Sequence, residues 1–525
     1  MPDADREVAV IGAGAGGLAA AMILASAGLT VTVVEAAEAP GGKMRSLPSA
    51  AGPVEAGPTV LTMLDVFETL FAETGERLAD RVAVERQDEI ARHFWPGGGR
   101  LDLCGDPARD AAAIRAFAGR GAEADFLRFR HVAAALHRAF ELPVIRAPRP
   151  SAAGAALGAL AAPAAWPWLL PGRTLDGMLR RTFRDPRLVQ LFGRYATYVG
   201  GSPFRSPAVL ALIWHAEASG VWSPAGGMSA LAGAMAAAAA GRGAGFRYGL
   251  AAREILAPRG RVEGVALSDG SVLRAGHVVF NGDPCALVAG QLGAAARSAV
   301  PPGAVARPSR SAWVWSFAAR CAGPELGHHN VFFAGDPVAE HGPIDAGRMP
   351  DDPTLYVCAE DRASGRRPAG VERFEIIMNA PAAGGTAAPS AAEEYRTCLE
   401  RTFATLGDRF GLTFDPLPGP EALTGPAEFA RMFPGSRGAL YGPSPHGTLA
   451  AFRRPAVRTS LPGLWLSGGG THPGAGVPMA ALSGMHCAHA ILRALPASTS
   501  TSRPTAMPGG MSTAFPTTPA ARSRS

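Results

Sequence analysis

Apolar positions near the start of the chain fall in two rhythms. From Glu7, "EVAVIGAG" is a short continuous apolar run, the pattern of a strand buried on both faces of a parallel sheet. "GGLAAAMILASAG" follows as a helix whose small residues let it lie close to that sheet, and "TVTVVE" supplies a second strand, completing a βαβ unit. The pattern returns 400 residues later. "GLWLSGGGTHPGAGVPMAALSGMHCAHAIL" reads as a strand, a glycine loop and a helix beginning near Val477. Between them, "GRVEGVALSDGSVLRAGHVVF" (Gly260 to Phe280) is a hairpin with a return strand, so it belongs with the N-terminal unit. Residues 86–222 and about 300–455 carry mixed helix and strand patterns.

Two stretches break the rhythm. "SAAGAALGALAAPAAWPWLLPG", Ser151 to Gly172, holds no charge, but three internal prolines and weakly hydrophobic Ala and Gly argue against a membrane span. Trp166 and Trp168 beside Leu169 and Leu170, flanked by Arg146, Arg149 and Arg173, suit a segment lying in a membrane interface; an Ala-rich helix and loop inside the protein is the alternative. From Pro496 the chain is low-complexity Ser, Thr and Pro, the composition of a disordered tail.

Composition narrows the classes. At 525 residues, 47% hydrophobic and 18% charged, the chain is a folded protein of more than one domain. Its net charge of +6 does not mark a nucleic-acid binder: Lys43 is the sole lysine, and no basic run is interleaved with aromatics. Six cysteines are scattered without a CxxC pair, giving neither a disulfide framework nor zinc spacing, so no metal is expected. "MPDADREV" carries acids straight into a strand, with no secretory signal visible. A cytoplasmic setting agrees with both.

The βαβ unit carries the chemistry. GxGxxG falls on Gly12, Gly14 and Gly17, and Glu35 closes the second strand. Gly12 permits the tight turn, Gly14 admits a pyrophosphate, and Gly17 lets helix pack on strand. The helix N-terminus offers free amides to phosphates, and Glu35 can accept from a ribose diol. Strand, turn, helix, strand and acid stand in register, and their start at residue 7 favours FAD over NAD.

Further motifs sharpen the choice. "EAAEAPGGKMRS" places Gly41, Gly42 and Lys43 just beyond the ribose acid; the sequence here resembles the FAD-dependent amine-oxidase superfamily, with Lys where Arg is usual. "EAGPTVLTM" from Glu55 resembles the Asp-x-Gly-Pro-Thr segment of the carotenoid and phytoene desaturases, with Glu for Asp. "YATYVGGSPFRSPAVL", "SPAGGM" and "VVFNGDP" resemble further segments of that family. Similarity runs from about residue 7 to about residue 495. "ARHFWPGG" and "GGKMRSLP" look like the branch acting on 1-hydroxycarotenoids, the 3,4-desaturases or methoxyneurosporene dehydrogenases.

The resemblance implies an α/β fold: a Rossmann-type FAD-binding domain of the amine-oxidase/glutathione-reductase kind, with an inserted α+β substrate-binding domain and a membrane-associating segment. The expected divisions are FAD-binding parts at 1–85, 223–300 and 456–495, a substrate and membrane-associating region at 86–222, a substrate-binding domain at 301–455, and the tail 496–525. Beyond Gly12, Gly14, Gly17 and Glu35, it implies cofactor contacts at Gly42, Lys43, Gly57, Pro58 and Thr59, an adenine contact at Ala252, and ring contacts at Gly469, Gly470, Gly476, Val477 and Pro478. Gly476 and its neighbours would lie against the flat ring, and the helix from Val477 would aim its positive end at the pyrimidine edge.

The implied activity is desaturation of an acyclic C40 carotenoid, a 1-hydroxy or 1-methoxy neurosporene type, with a hydride passing to flavin and a proton to a base or water. His472, in the flavin loop, is a candidate base, or simply a histidine bonded to loop backbone; His93 and Glu217 are candidates to meet a hydroxyl end group. Electrons would pass on to oxygen or a quinone, and the enzyme would sit peripherally on the inner membrane. Three enzyme alternatives use the same fold: phytoene desaturation of another carotenoid, carotenoid isomerisation, which leaves product mass unchanged, and amine or protoporphyrinogen oxidation, which yields peroxide. A carotenoid carrier would bind pigment without reducing flavin.

Overall fold

The computed structural model describes residues 4–383 and 390–495; the expected tail, 496–525, lies outside them. Its first element is a five-stranded parallel sheet in the order Leu464–Leu466, His277–Phe280, Glu7–Ile11, Thr30–Val34, Gly245–Arg247. Three distant stretches of sequence therefore meet in one sheet. The helices Ala15–Ser26, Gly227–Gly241 and Val477–Ala494 share one apolar core on this sheet. Their small residues allow close approach: a Cβ at Gly484 would lie 2.0 Å from the Gly16 carbonyl oxygen. The other sheet face carries a separate apolar cluster that includes Ala9, Ile11, Val278, Phe280 and Leu464.

The hairpin read between Gly260 and Phe280 is present. Gly264–Leu267 and Val272–Arg274 pair antiparallel in a three-stranded sheet with Ala252–Leu256, and the return strand His277–Phe280 enters the parallel sheet.

A larger mixed sheet runs Thr413–Asp415, Ser311–Ala322, Glu372–Ala380, Leu355–Ala359, His329–Phe332, Ala91–Trp95, Gly99–Leu103, with Leu423–Thr424 also paired to Ser311–Ala322. Only His329–Phe332 with Ala91–Trp95 is parallel. Strand alternation divides its faces. Ile376 and Met378 enter an aromatic core with Trp315, Phe317 and Phe374, whereas Ile377 and Asn379 turn to the large cavity described below. A helical layer, centred on Pro107–Phe140, packs its own core around Phe126, Phe129, Phe192 and Trp214.

The uncharged stretch forms two short helices, Ala152–Leu160 and Pro163–Leu169, bent by 102° to each other. No single helix among the described residues is long and apolar enough to cross a membrane. The two tryptophans part company: Trp166 is 51% exposed, and Trp168 is half-buried against the helical core. Trp168 does not belong to the exposed face that the sequence suggested: two residues beyond Trp166 in the same short helix, it falls on another face and packs against the core.

Candidate functional site

One large cavity, about 600 Å³, runs between the parallel sheet and the larger mixed sheet, within the 300–1,000 Å³ range of ligand pockets. One end is built from the first βαβ unit: Gly12 and Gly14, Glu35, Gly41 to Lys43, and Leu250 to Ala252. The other end is built from Gly468 to Gly470 and Ala475 to Pro478. Gly57, Pro58 and Thr59 line the wall between.

The phosphate loop is shaped by contact as much as by turn geometry. Gly12 has φ +96°, a value that disfavours any side chain. A Cβ at Gly17 would lie 2.1 Å from the Gly12 oxygen, so that glycine is needed for helix to pack on strand, as expected. At Gly14 the structure adds a protein-side reason: its Cβ would meet Asn281 Nδ2 at 2.9 Å. Asn281 was not anticipated, although it stands in the "VVFNGDP" segment. Its Nδ2 donates to the Gly12 oxygen at 3.2 Å, and its Oδ1 accepts from Ser467 Oγ at 3.2 Å. One side chain thereby joins the phosphate loop to the distant glycine loop.

Glu35 accepts from the backbone N–H groups of Ala13 (2.7 Å) and Ala37 (2.9 Å), which fixes its carboxylate at the cavity wall with lone pairs left over. The helices Ala15–Ser26 and Val477–Ala494 both begin at this cavity, and neither has a side-chain cap. Their first-turn amides and positive ends are thus available to a ligand at each end of one long site.

A family model described as flavin containing amine oxidoreductase matches residues 15–310. Hydroxyneurosporene desaturase of Cereibacter sphaeroides is 56% identical over 486 residues, covering 93% of this chain and 97% of the relative. The Rubrivivax gelatinosus protein of that name is 44% identical, covering 98% of each. The chain belongs to the carotenoid desaturases of the flavin-containing amine oxidoreductase family. A 4,4'-diapolycopene oxygenase from Methylomonas is 30% identical over 91% of this chain and 97% of its own. Among solved structures, putrescine oxidase bound to putrescine gives a TM-score of 0.60 at 16% identity, covering 93% of this chain and 99% of that one, a likeness of fold.

FAD is the cofactor of this family, and the residues present fit it. The two uncapped helix ends, Glu35 and the glycines Gly469 and Gly476 all line one cavity. A Cβ at Gly476 would come no closer than 3.7 Å to protein, so the space beside it is open to a ligand.

Lys43 and Arg454 have protein partners that the sequence does not reveal. Lys43 lines the cavity, but its Nζ donates to the Leu440 oxygen at 2.6 Å and sits over the Phe433 ring, 5.2 Å from the centroid. It is anchored to the facing segment. Burial pushes it down to about 8, against the pull of buried Asp283. Arg454 braces the glycine loop, donating to the oxygens of Gly469 (2.8 Å), Tyr441 (3.2 Å) and Pro443 (3.1 Å); its role was not legible in sequence.

Glu55 explains its own departure from Asp. Its longer side chain accepts from Ser229 Oγ (2.5 Å) and Ser229 N–H (3.1 Å), tying "EAGPT" to the turn "SPAGGM". Thr59 Oγ1 bonds the Tyr356 hydroxyl at 2.7 Å, and that hydroxyl meets His329 Nδ1 at 2.6 Å. His329, His328 and Cys358 have candidate ligand atoms within 4.8 Å of one another, a trio that strand pairing assembles from residues 30 apart. Protein groups already engage it: His328 Nδ1 bonds the Ala359 oxygen, and its Nε2 lies 3.2 Å from Ser223 Oγ.

The candidate base His472 has one ring nitrogen engaged and Nδ1 without a partner. It does not line the cavity; its Nε2 bonds the Ala147 oxygen at 2.9 Å, and burial holds the ring below its ordinary value. Glu217 is also engaged, accepting from Tyr198 at 2.5 Å and from Tyr195. Ala252 lines the cavity, as Glu35 does.

Proposed function

We propose that the protein is an FAD-dependent carotenoid desaturase of carotenoid biosynthesis, acting on an acyclic, 1-hydroxy or 1-methoxy neurosporene-type pigment at the 3,4 bond. The carrying observation is the identity to hydroxyneurosporene desaturases along nearly the whole chain, joined to a cavity whose walls suit both FAD and a polyene. FAD bound there supplies the two-electron oxidant that removes two hydrogens from adjacent carbons. The chain's part is positional. Val189, Val314, Val331, Phe333, Ile377 and Phe429 line the cavity with apolar surface, which suits a substrate without charge and keeps water from the reacting bond. The walls that hold adenosine come from 1–85 and 223–300, those beside the ring from 456–495, and the apolar wall from 86–222 and 301–455, the division we propose for cofactor and substrate domains.

A polyene is insoluble in water, so the enzyme must take it from a membrane. Leu142, Leu157, Leu160, Trp166 and Leu170 are each 51–73% exposed within 29 residues, and clustered exposed apolar side chains mark such surfaces. This favours peripheral contact with the cytoplasmic face of the inner membrane, where a quinone or oxygen would take the electrons. Purified enzyme supplied with 1-hydroxyneurosporene should yield a product two hydrogens lighter. Unchanged mass would indicate an isomerase, and one added oxygen an oxygenase.

A further inference from the structure

The helical turn Arg194–Val199 puts a buried arginine on the cavity wall. Arg194 Nη1 donates to the Tyr198 hydroxyl at 2.8 Å, and its guanidinium lies 4.9 and 5.2 Å from the ring centroids of Tyr195 and Tyr198. Glu217, 3.8 Å from Nη2, balances its charge at ion-pair distance. Yet Nε and Nη2 are buried without a hydrogen-bond partner. Arginine cannot shed its proton, so those donors persist whatever occupies the cavity. Leaving buried donors unmatched is costly, and more so for a charged group.

The chemistry of the missing partner follows from what is already satisfied. Because Glu217 supplies the countercharge, an anion would bring excess negative charge into a dry site. A bare hydrocarbon end offers no acceptor. A neutral oxygen meets both conditions. His93, the other side chain the sequence suggested for this end, does not line the cavity: it stacks behind Phe333, with Nδ1 donating to the Leu101 oxygen at 3.0 Å.

Resting on the carotenoid-desaturase reading above, we infer that Arg194 is the residue that selects an oxygenated pigment end, its unpartnered N–H groups donating to the neutral oxygen there. Glu217, which the sequence suggested for this task, serves instead as the countercharge behind Tyr198.

The test uses FAD-loaded full-length enzyme and two detergent-dispersed pigments, 1-hydroxyneurosporene and neurosporene, measuring Kd by tryptophan quenching and kcat/KM by pigment chromatography. Wild type should prefer the hydroxylated pigment, and Arg194→Met should cut that preference by about 10- to 150-fold, the range of one hydrogen bond to a charged group. Since Arg194→Met strands Glu217 and can impair folding, the pair Arg194→Met with Glu217→Gln removes both charges together, and the same loss is expected. An unchanged preference in folded, flavin-loaded variants overturns the inference. Wild type that binds the hydroxylated pigment more tightly yet converts neither would sustain it while overturning the desaturase reading.

Discussion

Replacing Gly469 with Ala separates the protein's own need for that glycine from the cofactor's. A Cβ there would lie 3.8 Å from the Gly474 oxygen and 3.9 Å from the Ala475 Cα, ordinary contacts that ask nothing to move. Its backbone is outside the positive-φ region, so no conformational strain is added. The apo-protein should therefore keep its stability or gain about 0.4–1 kcal/mol from a less flexible unfolded chain. Holoenzyme should behave differently. If the loop backbone rests against the flavin ring, one methyl intrudes on a filled site, and overpacking costs about 1–3 kcal/mol. At about 1.4 kcal/mol per decade, FAD affinity should fall roughly 5- to 150-fold. Gly476→Ala is the contrast: φ +110° and ψ 148° lie in a region almost restricted to glycine, so about 1–3 kcal/mol of strain should weaken the apo form already, before any contact with the cofactor. Flavin-fluorescence titration and thermal unfolding of both forms read the difference. If Gly469→Ala binds FAD as tightly as wild type, the backbone there does not touch the cofactor, and the ring lies elsewhere in the cavity.

Other outcomes follow from the same geometry. Gly14→Val should give soluble, colourless protein, because its side chain displaces Asn281 and enters the phosphate site; absorbance at the flavin bands checks it. Asn281→Leu should lower FAD content and the unfolding midpoint together, losing two hydrogen bonds worth about 1 kcal/mol each, whereas a loss of FAD alone would deny it the bridging role. Trp166→Ser with Leu160→Ser should weaken liposome flotation without altering FAD content; unchanged flotation would place the membrane contact elsewhere. Burial raises Glu360 to about 7, so its carboxyl binds more protons folded than unfolded. Its penalty is absent below about 4.5, grows as pH rises towards 7, and is then constant at no more than about 3 kcal/mol. Glu360→Gln should therefore raise the unfolding midpoint at pH 8 but not at pH 4.5, and an equal change at both would contradict the burial argument.

Local pattern determined much of this protein. The βαβ unit, the hairpin from Gly260, the return strand to Phe280 and the helix at Val477 all stand where periodicity and glycine placement put them, because each is set by interactions within some thirty residues. GxGxxG with Glu35 was legible for the same reason: a phosphate loop is a property of one turn and one helix end. What side chains do across the fold was not. Lys43 looks free in its own loop, and only the packing of Leu440 and Phe433 against it shows it engaged. His472 sits in a glycine loop like a catalytic residue, but Ala147, 325 positions away, engages one of its ring nitrogens. Trp166 and Trp168 are indistinguishable in sequence, but two residues apart on one short helix they fall on different faces, and the packing of that helix leaves one outward and one inward. Asn281, Arg454 and Arg194 carry no local signature, since their partners, or their lack of partners, arise only when strands and helices from distant stretches meet around the cavity. Hydrogen-bond satisfaction in a buried site is a sum over neighbours in space, and tertiary structure alone supplies that list.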